Sequence, residues 1–404
     1  MLEKVASTLV DLGRDIDEVT PGVIALRREL HQHPELAFEE VRTAATLAAR
    51  MHSLGLAVQE GIGATGVLAV LEGARPGKTL LVRSDMDALP MADTTGRDYA
   101  STLRDRNHAC GHDAHSAVVA GVAEVLVRHR DRIAGRIAFV FQPADEPMRG
   151  ARRMIEDGLL ERTKPDMSLA VHVLPMANAG QAVVQAGPIW ASRDELILRL
   201  RGPQSVSGGP ATFDPARTAA QITLALYELV ELEGRSAGGV TFRVRSLRAD
   251  ESGPVWLGGS RDESGQAALE VNLAVYDNAL RARLLRSIEE VSVAIVGAAG
   301  GTLSTEIGYA LPALVNDDYV TGALERAARR VIGEANIIKD WRSPFSDDFG
   351  LFMAAAPGCL LLLGTANPDK GITEIWHRPA FDIDEDALPV GVQIMSLAAL
   401  ELLQ

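Results

Sequence analysis

The chain has 404 residues, 47% hydrophobic and 23% charged, with 40 basic and 54 acidic side chains and a formal charge of −14. That acidity argues against a nucleic-acid backbone or an anionic membrane as the main partner, because both require a basic surface. Two cysteines, Cys110 and Cys359, cannot build a disulfide framework, and no apolar run exceeds strand size. The expectation is therefore a cytoplasmic globular protein of more than one domain, and the N-terminus shows no signal-peptide pattern.

In chain order, helices are expected near residues 40–54, 114–129 and 150–157. Strands are expected at residues 65–73, 78–87, 136–143 and 167–173. Strands alternating with helices predict an α/β domain with a mainly parallel sheet. The rhythm then changes. A strand at 194–202 precedes a helix at 214–233, with Ile222, Leu226 and Leu229 on one side. Strands at 239–247 and 268–276 follow. A helix at 277–299 carries Leu280, Leu284, Ile288 and Val291 at helical spacing, and a strand at 302–310 closes the set. The order β-α-β-β-α-β is the split-βαβ or ferredoxin-like unit. The α/β rhythm resumes with a helix at 318–332, the strand GCLLLLGTA and a last helix after Asp384. The expected organisation is a catalytic domain at 1–189 and 306–404, interrupted by an α+β insert at 190–305. The Gly-, Ser- and Asp-rich stretch 249–266 reads as a surface loop of that insert.

Histidine is scarce, yet three of the nine, His108, His112 and His115, fall within eight consecutive residues. Polar clusters recur at the carboxyl ends of the expected strands, where open α/β sheets bind ligands. Asp85 and Asp87 end one strand, Asp145 and Glu146 another, and His172 a third. Cys110 and His112 open a helix, and His377 comes late in the chain. Each has a bland reading alone: a buried Cys is usually a small core residue, and an Asp-Glu pair is usually solvated. Together, thiolate, imidazole and carboxylate form the donor set of zinc or a similar divalent ion. Their wide spacing, without paired CxxC units, suits a catalytic rather than a structural site. In an adjacent pair such as Asp145-Glu146, one carboxylate can hold metal while the other takes a proton from water.

The segments RRELHQHPELAFEE, RSDMDALPM, NHACGHDAHSA, FQPADEPMRGARRMIEDG, HVLP, SDDFGLFMAAAPG and HRPAFDIDEDAL occur in that order. In order and spacing the chain resembles the M20 metallopeptidase family, particularly its amidohydrolases of N-acyl amino acids, such as hippurate hydrolase and auxin–amino acid conjugate hydrolases. The resemblance implies two divalent metal ions, zinc or manganese, held by Cys110, His112, Glu146, His172 and His377. It implies Asp85 and Asp87 as residues that orient those ligands. His115 falls outside the usual ligands, and His31, His33 and Glu35 read as loop packing near the entrance more readily than as substrate contacts. The insert matches the family's lid, which often forms a homodimer.

The sequence departs from the family pattern in three places. The general base is normally Glu, but here Asp145 stands there. Asp is one methylene shorter, and misplacement on that scale costs on the order of a hundredfold in rate. Val206 occupies the position of the lid histidine that stabilises the oxyanion. Such a donor is worth about 2.7–4 kcal/mol, and no histidine lies between His172 and His377. Ala274 falls roughly where a substrate-binding Arg is expected. The function expected is a metal-dependent hydrolase cleaving the amide of an N-acyl amino acid or a related acylated amine, with Asp145 as proton acceptor. The alternatives are a catalytically impaired relative that binds metal or a small molecule, and a mono-zinc enzyme on the same scaffold.

Overall fold

A computed structural model describes residues 2–203, 213–234, 239–250 and 265–404. The chain forms two compact units. One comprises Met1–Gly187, Val315–Trp341 and Asp347–Gln404, and the other Pro188–Leu314 with Arg342–Ser346.

The first unit is built on an eight-stranded sheet. Its strands are β1 (Ala57–Ile62), β2 (Gly66–Glu72), β3 (Arg75–Asp85), β4 (Ala134–Gln142), β5 (Met167–Asn178), β6 (Ala182–Val183), β7 (Ile337–Ile338) and β8 (Gly358–Ala366). They lie in the order β1-β2-β4-β3-β5-β8-β6-β7. The centre, β4-β3-β5-β8, is parallel, while β1/β2, β2/β4 and β8/β6 are antiparallel. The α/β class expected from the alternation is present, with a mixed, mostly parallel sheet.

The helices of this unit are α1 (Leu2–Gln32), α2 (Val41–Ser53), α3 (His112–Arg128), α4 (Gly150–Glu156), α5 (Leu159–Thr163), α6 (Asp318–Ile332), α7 (Phe349–Met353) and α8 (Ala387–Leu402). Residues of α1, α3, α6 and α8 share one core with one face of the sheet. α7 packs on α4 and β5. Helices on both faces explain the unbroken apolar sequence of β8. Cys359, Leu361 and Leu363 enter the main core, while Leu360 and Leu362 are buried on the opposite side.

Helix α1 is the longest element that the sequence reading does not assign. Its buried residues Leu12, Ile16, Val19, Val23, Leu26 and Leu30 follow helical spacing. The internal Pro21 and the dense charges between them obscure that stripe.

In the second unit, strands Arg193–Arg201, Val240–Asp250, Gln266–Val275 and Thr302–Leu311 form an antiparallel sheet. Helices Pro215–Gly234 and Asn278–Ala298 join its core through Ile222, Leu226, Leu284 and Ile288. Leu196, Leu198 and Leu200 point into that core, whereas Glu195, Arg199 and Arg201 lie on the other face, the alternation of a half-covered sheet. The β-α-β-β-α-β order is thus present. Of the expected loop at 249–266, residues 251–264 lie outside the described residues, as does Val206. Ala274 pairs with Thr241 inside the sheet. Among the described residues, no helix is long and apolar enough to cross a membrane.

One buried ion network joins three distant segments of the first unit. Arg27 of α1 is fully buried. It donates to Asp113 at 2.9 Å and Asp382 at 3.2 Å, and lies 3.4 Å from Glu385. Removing only the cation strands buried carboxylates, a change that costs about 3–5 kcal/mol. Arg27→Met should lower the unfolding free energy by about that amount in urea titrations. A loss below about 1 kcal/mol would contradict the assigned weight of the network.

Candidate metal centre

The centre is assembled at the carboxyl ends of β3, β4 and β5 and the start of α3. Gly111 makes the last of these possible. Its φ of +87° is a left-handed turn, and a Cβ there would stand 2.5 Å from Val173 Cγ2. The turn lets Cys110 and His112, one on each side of it, contribute to the same group of donors.

That group has two halves sharing one sulfur. Donor atoms of Cys110, His112 and His172 lie within 4.8 Å of one another, and so do those of Cys110, Glu146 and His377. Each imidazole in the first half has its tautomer set from behind. His112 Nδ1 donates to Asp87 Oδ1 at 3.2 Å, and His172 Nδ1 donates to the Val173 carbonyl at 2.8 Å. In both, Nε2 is the nitrogen turned toward the group, and that of His172 lies 3.6 Å from Cys110 Sγ. His112 Nε2 and Glu146 Oε1 are buried without a hydrogen-bond partner and face one another at 3.8 Å. His377 sits at φ +58°, its backbone N–H held by the Ala109 carbonyl at 2.8 Å. Its Nε2 is 3.5 Å from Glu146 Oε2. Buried donors without partners, in a thiolate–imidazole–carboxylate set, fit two divalent cations.

His115 does something else. Its Nε2 accepts the Val173 N–H at 2.8 Å and its Nδ1 donates to Asp85 Oδ1 at 2.7 Å, so both nitrogens are engaged. Asp85 also takes Arg83 at 2.7 Å and lies 3.9 Å from His112 Nδ1. Asp87 has the wider task. Besides His112 it accepts the amides of Asp145 at 2.9 Å and Glu146 at 3.0 Å, so one carboxylate sets a ring and the loop opposite it. Glu40 holds the same loop through the Ala144 amide at 2.8 Å. Ala144 and Met148 have φ of +50° and +55° there, and Gly150 leaves room that a Cβ, 1.6 Å from the Pro143 carbonyl oxygen, would fill.

Asp145 Oδ2 faces His112 Nε2 at 3.8 Å, while its Oδ1 forms a close ion pair with Arg83. Arg83 is fully buried and also bonds Gln142 at 2.9 Å and Asp348 at 3.2 Å. Arg83, Gln142, Asp347 and Asp348 stand within the segments that carry the family resemblance, and none is among the site residues expected from the sequence. The signal was a charged residue within the apolar run of β3, since an Arg buried in a central strand needs buried counter-charges. Of the three residues expected as loop packing, His31 alone lies within a helix. His31 is on α1, buried, with Nδ1 2.7 Å from Asp113. His33 bonds the Glu29 carbonyl. Glu35 accepts the Arg42 and Thr43 amides at the start of α2. His33 and Glu35 thus lie in the loop between α1 and α2, whereas His31 is a buried helix residue.

The electrostatics fit a site that takes up cations. Burial pushes the Cys110 thiol up and the Glu146 carboxyl up to about 8. Burial pulls the His172 and His377 imidazoles down. Burial also disfavours charged His112, but Asp85 and Cys110 outweigh it and hold that imidazole above its usual range.

The sequence description "Peptidase family M20/M25/M40" matches residues 81–401. The chain belongs to this family. It is 30% identical to Thermostable carboxypeptidase 1 of Saccharolobus solfataricus over 96% of its length and 98% of that relative. It is 30% identical to N-acetylcysteine deacetylase of Bacillus subtilis, over 95% and 97%. Among solved structures, the Bacillus subtilis YXEP protein, described as a dinuclear metal binding peptidase of the M20 family, superposes with a TM-score of 0.78. The identity is 28%, over 96% of this chain and 99% of that one. Members of this M20 family hydrolyse amide bonds, and dinuclear metal binding is typical of them.

Two outcomes follow for metal binding. Because Asp87 supports His112 and the Asp145-Glu146 loop together, Asp87→Ala should weaken divalent-metal affinity about 10–100-fold, measured by chelator competition and elemental analysis. Because Cys110 and Glu146 hold protons at neutral pH in the metal-free protein, metal uptake displaces them. Apparent affinity should therefore rise with pH, most steeply below about 8, where both groups hold protons, and less steeply above it, where only the thiol does. A flat affinity between about pH 6 and 8 would contradict this assignment of the two ligands.

Proposed function

We propose that the protein is a di-metal amidohydrolase that removes the acyl group from an N-acyl amino acid or a related acylated amine. The observation that carries this reading is the single sulfur of Cys110 shared between two three-donor groups, with the Asp145 carboxylate beside His112. We assign Cys110, His112 and His172 to one ion and Cys110, Glu146 and His377 to the other. Thiolate and imidazole donors favour zinc, and the carboxylate admits manganese. Two such ions, when bound, supply Lewis acidity toward the amide carbonyl and toward water.

The chain's own groups do the rest. Asp145 Oδ2 accepts the proton of the attacking water and returns it to the leaving nitrogen, so that the amine departs neutral. Arg83 holds Oδ1 and fixes the direction in which the shorter side chain points. Asp87, through the amides of residues 145 and 146, keeps the base and the adjacent ligand in register. Asp85, His115 and the Val173 amide form a chain behind the donors that orients them without joining them.

The relatives named above support the substrate class. A carboxypeptidase and an N-acetylcysteine deacetylase, each matched over nearly the whole chain, both break an amide beside an amino-acid residue. Asp145→Asn should lower kcat for N-acyl amino acid hydrolysis by at least about a hundredfold with both metals retained. Unchanged turnover would remove Asp145 from the mechanism. The second reading, a metal-binding relative with little turnover, draws on the same ion pair, since Arg83 occupies one oxygen of the base. Full metal content with no hydrolysis across a panel of N-acyl amino acids and N-acyl amines would favour it.

A further inference from the structure

Arg83 Nη2 carries two N–H groups and faces three carboxylates. Asp145 Oδ1 is in close contact with it, Asp348 Oδ1 is at 3.2 Å and Asp347 Oδ1 at 3.4 Å. One of the three has no N–H left to accept. Asp348 is otherwise well supplied: Gln142 Nε2 donates at 2.6 Å and the Ala151 amide at 3.0 Å. Asp145 has Arg83 as its closest partner. Asp347 has the Phe349 amide at 2.7 Å on Oδ1, and its Oδ2 is buried with no partner among the described residues. Oxygens of Asp85, Asp145 and Asp347 lie within 4.8 Å of one another. The groups facing Asp347 are therefore one cation, Arg83, and the carboxylates Asp85, Asp145 and Asp348. The Arg83 guanidinium faces three buried carboxylates and the part-buried Asp145, and of these Asp85 also has His112 beside it, so an excess of negative charge remains that a proton on one of them relieves.

We propose that Asp347 is a positioning residue for the reaction: as a neutral acid it leaves Arg83 to orient Asp145, and as a carboxylate it competes for the same Nη2. Burial and Asp145 push the Asp348 carboxyl up as well, but its oxygens are taken by Gln142, the Ala151 amide and Arg83, so the unpartnered Oδ2 of Asp347 is the place where a proton displaces no hydrogen bond. Burial pushes its carboxyl up to about 7, Asp145 and Asp85 push the same way, and Arg83 opposes them. Below that pH the guanidinium is committed to Asp145 and Asp348. Above it, a third anion draws on the same donors, and Asp145 loses its fixed direction. This rests on the reading of Asp145 as the base, and the two measurements below separate the two ideas.

The first measurement is independent of turnover. Infrared titration of the metal-free full chain should show the C=O stretch of a buried carboxylic acid that fades as pH rises through about 7. The wild-type minus Asp347→Asn difference should contain that band, because the buried Glu146 acid, which titrates near about 8, is common to both proteins and cancels. A difference spectrum with no acid band fading through about 7 would overturn the proposal. The second is the pH profile of kcat and KM for N-acetylcysteine, with wild type and variant loaded with the same ion and melting curves confirming that both fold. Wild-type kcat should fall toward about tenfold per pH unit above about 7 with KM little changed, whereas Asp347→Asn, fixed in the neutral form, should lose that alkaline limb. An identical limb in both proteins would overturn the positioning role even if Asp145→Asn is inactive. Normal turnover by Asp145→Asn would remove the base reading and the kinetic role of Asp347 together, leaving the infrared result to report on the proton alone.

Discussion

The structure depends on concentrating charge that water would otherwise stabilise. Asp85, Asp87, His112 and His172 are buried side by side at one edge of a sheet, with Asp347 and Asp348 close by. A carboxylate taken out of water is costly unless something opposes its charge. Arg83 opposes one part of this set from inside β3. A second part is met by hydrogen bonds from the backbone amides of residues 145, 146, 151 and 349. What remains, around Cys110, His112 and Glu146, has buried donor atoms with no partner. A metal site is the physical completion of that arrangement.

The fold makes the concentration possible. Parallel strands bring their carboxyl ends to one edge, so β3, β4 and β5 deliver Asp85, Gln142 and His172 to neighbouring positions although they are far apart in sequence. Helix α3 starts at the same edge, and the left-handed Gly111 turns Cys110 and His112 toward it. Asp87 then links β3, α3 and the loop after β4 through one carboxylate. Further from the centre, Arg27 joins α1 to the start of α3 and to the C-terminal segment. Two buried arginines, each with several carboxylates, thus hold the elements whose ends make the site.

The family's usual Glu at position 145 raised a question that geometry answers. The shorter Asp145 side chain is anchored through one oxygen to Arg83 and presents the other toward His112. Its position is set by an ion pair more than by its length. The same guanidinium is claimed by Asp347 and Asp348, so Asp145 and two carboxylates remote in sequence share one support. That sharing makes the protonation state of a residue outside the donor set matter to the reaction.

Much was legible in the sequence. The β-α-β-β-α-β insert followed from hydrophobic period alone, because each element is half buried and its pattern records the buried side. Strand β8 was visible for the opposite reason: buried on both faces, it has no polar positions. Helix α1 was hidden because charges and Pro21 interrupt a stripe that packing nonetheless buries. The donor residues could be named because thiol, imidazole and carboxylate are chemically rare together, and composition preserves that fact. Sequence by itself therefore determined the fold class, the family and the candidate donors that the structure brings together. Only the tertiary structure decided which nitrogen of each histidine faces the centre, that Asp87 supports ring and loop at once, and that Asp347 competes with Asp145 for Arg83. Those depend on distances of a few ångströms between residues from one to more than two hundred positions apart, and hydrogen-bond geometry leaves no periodic trace in the chain.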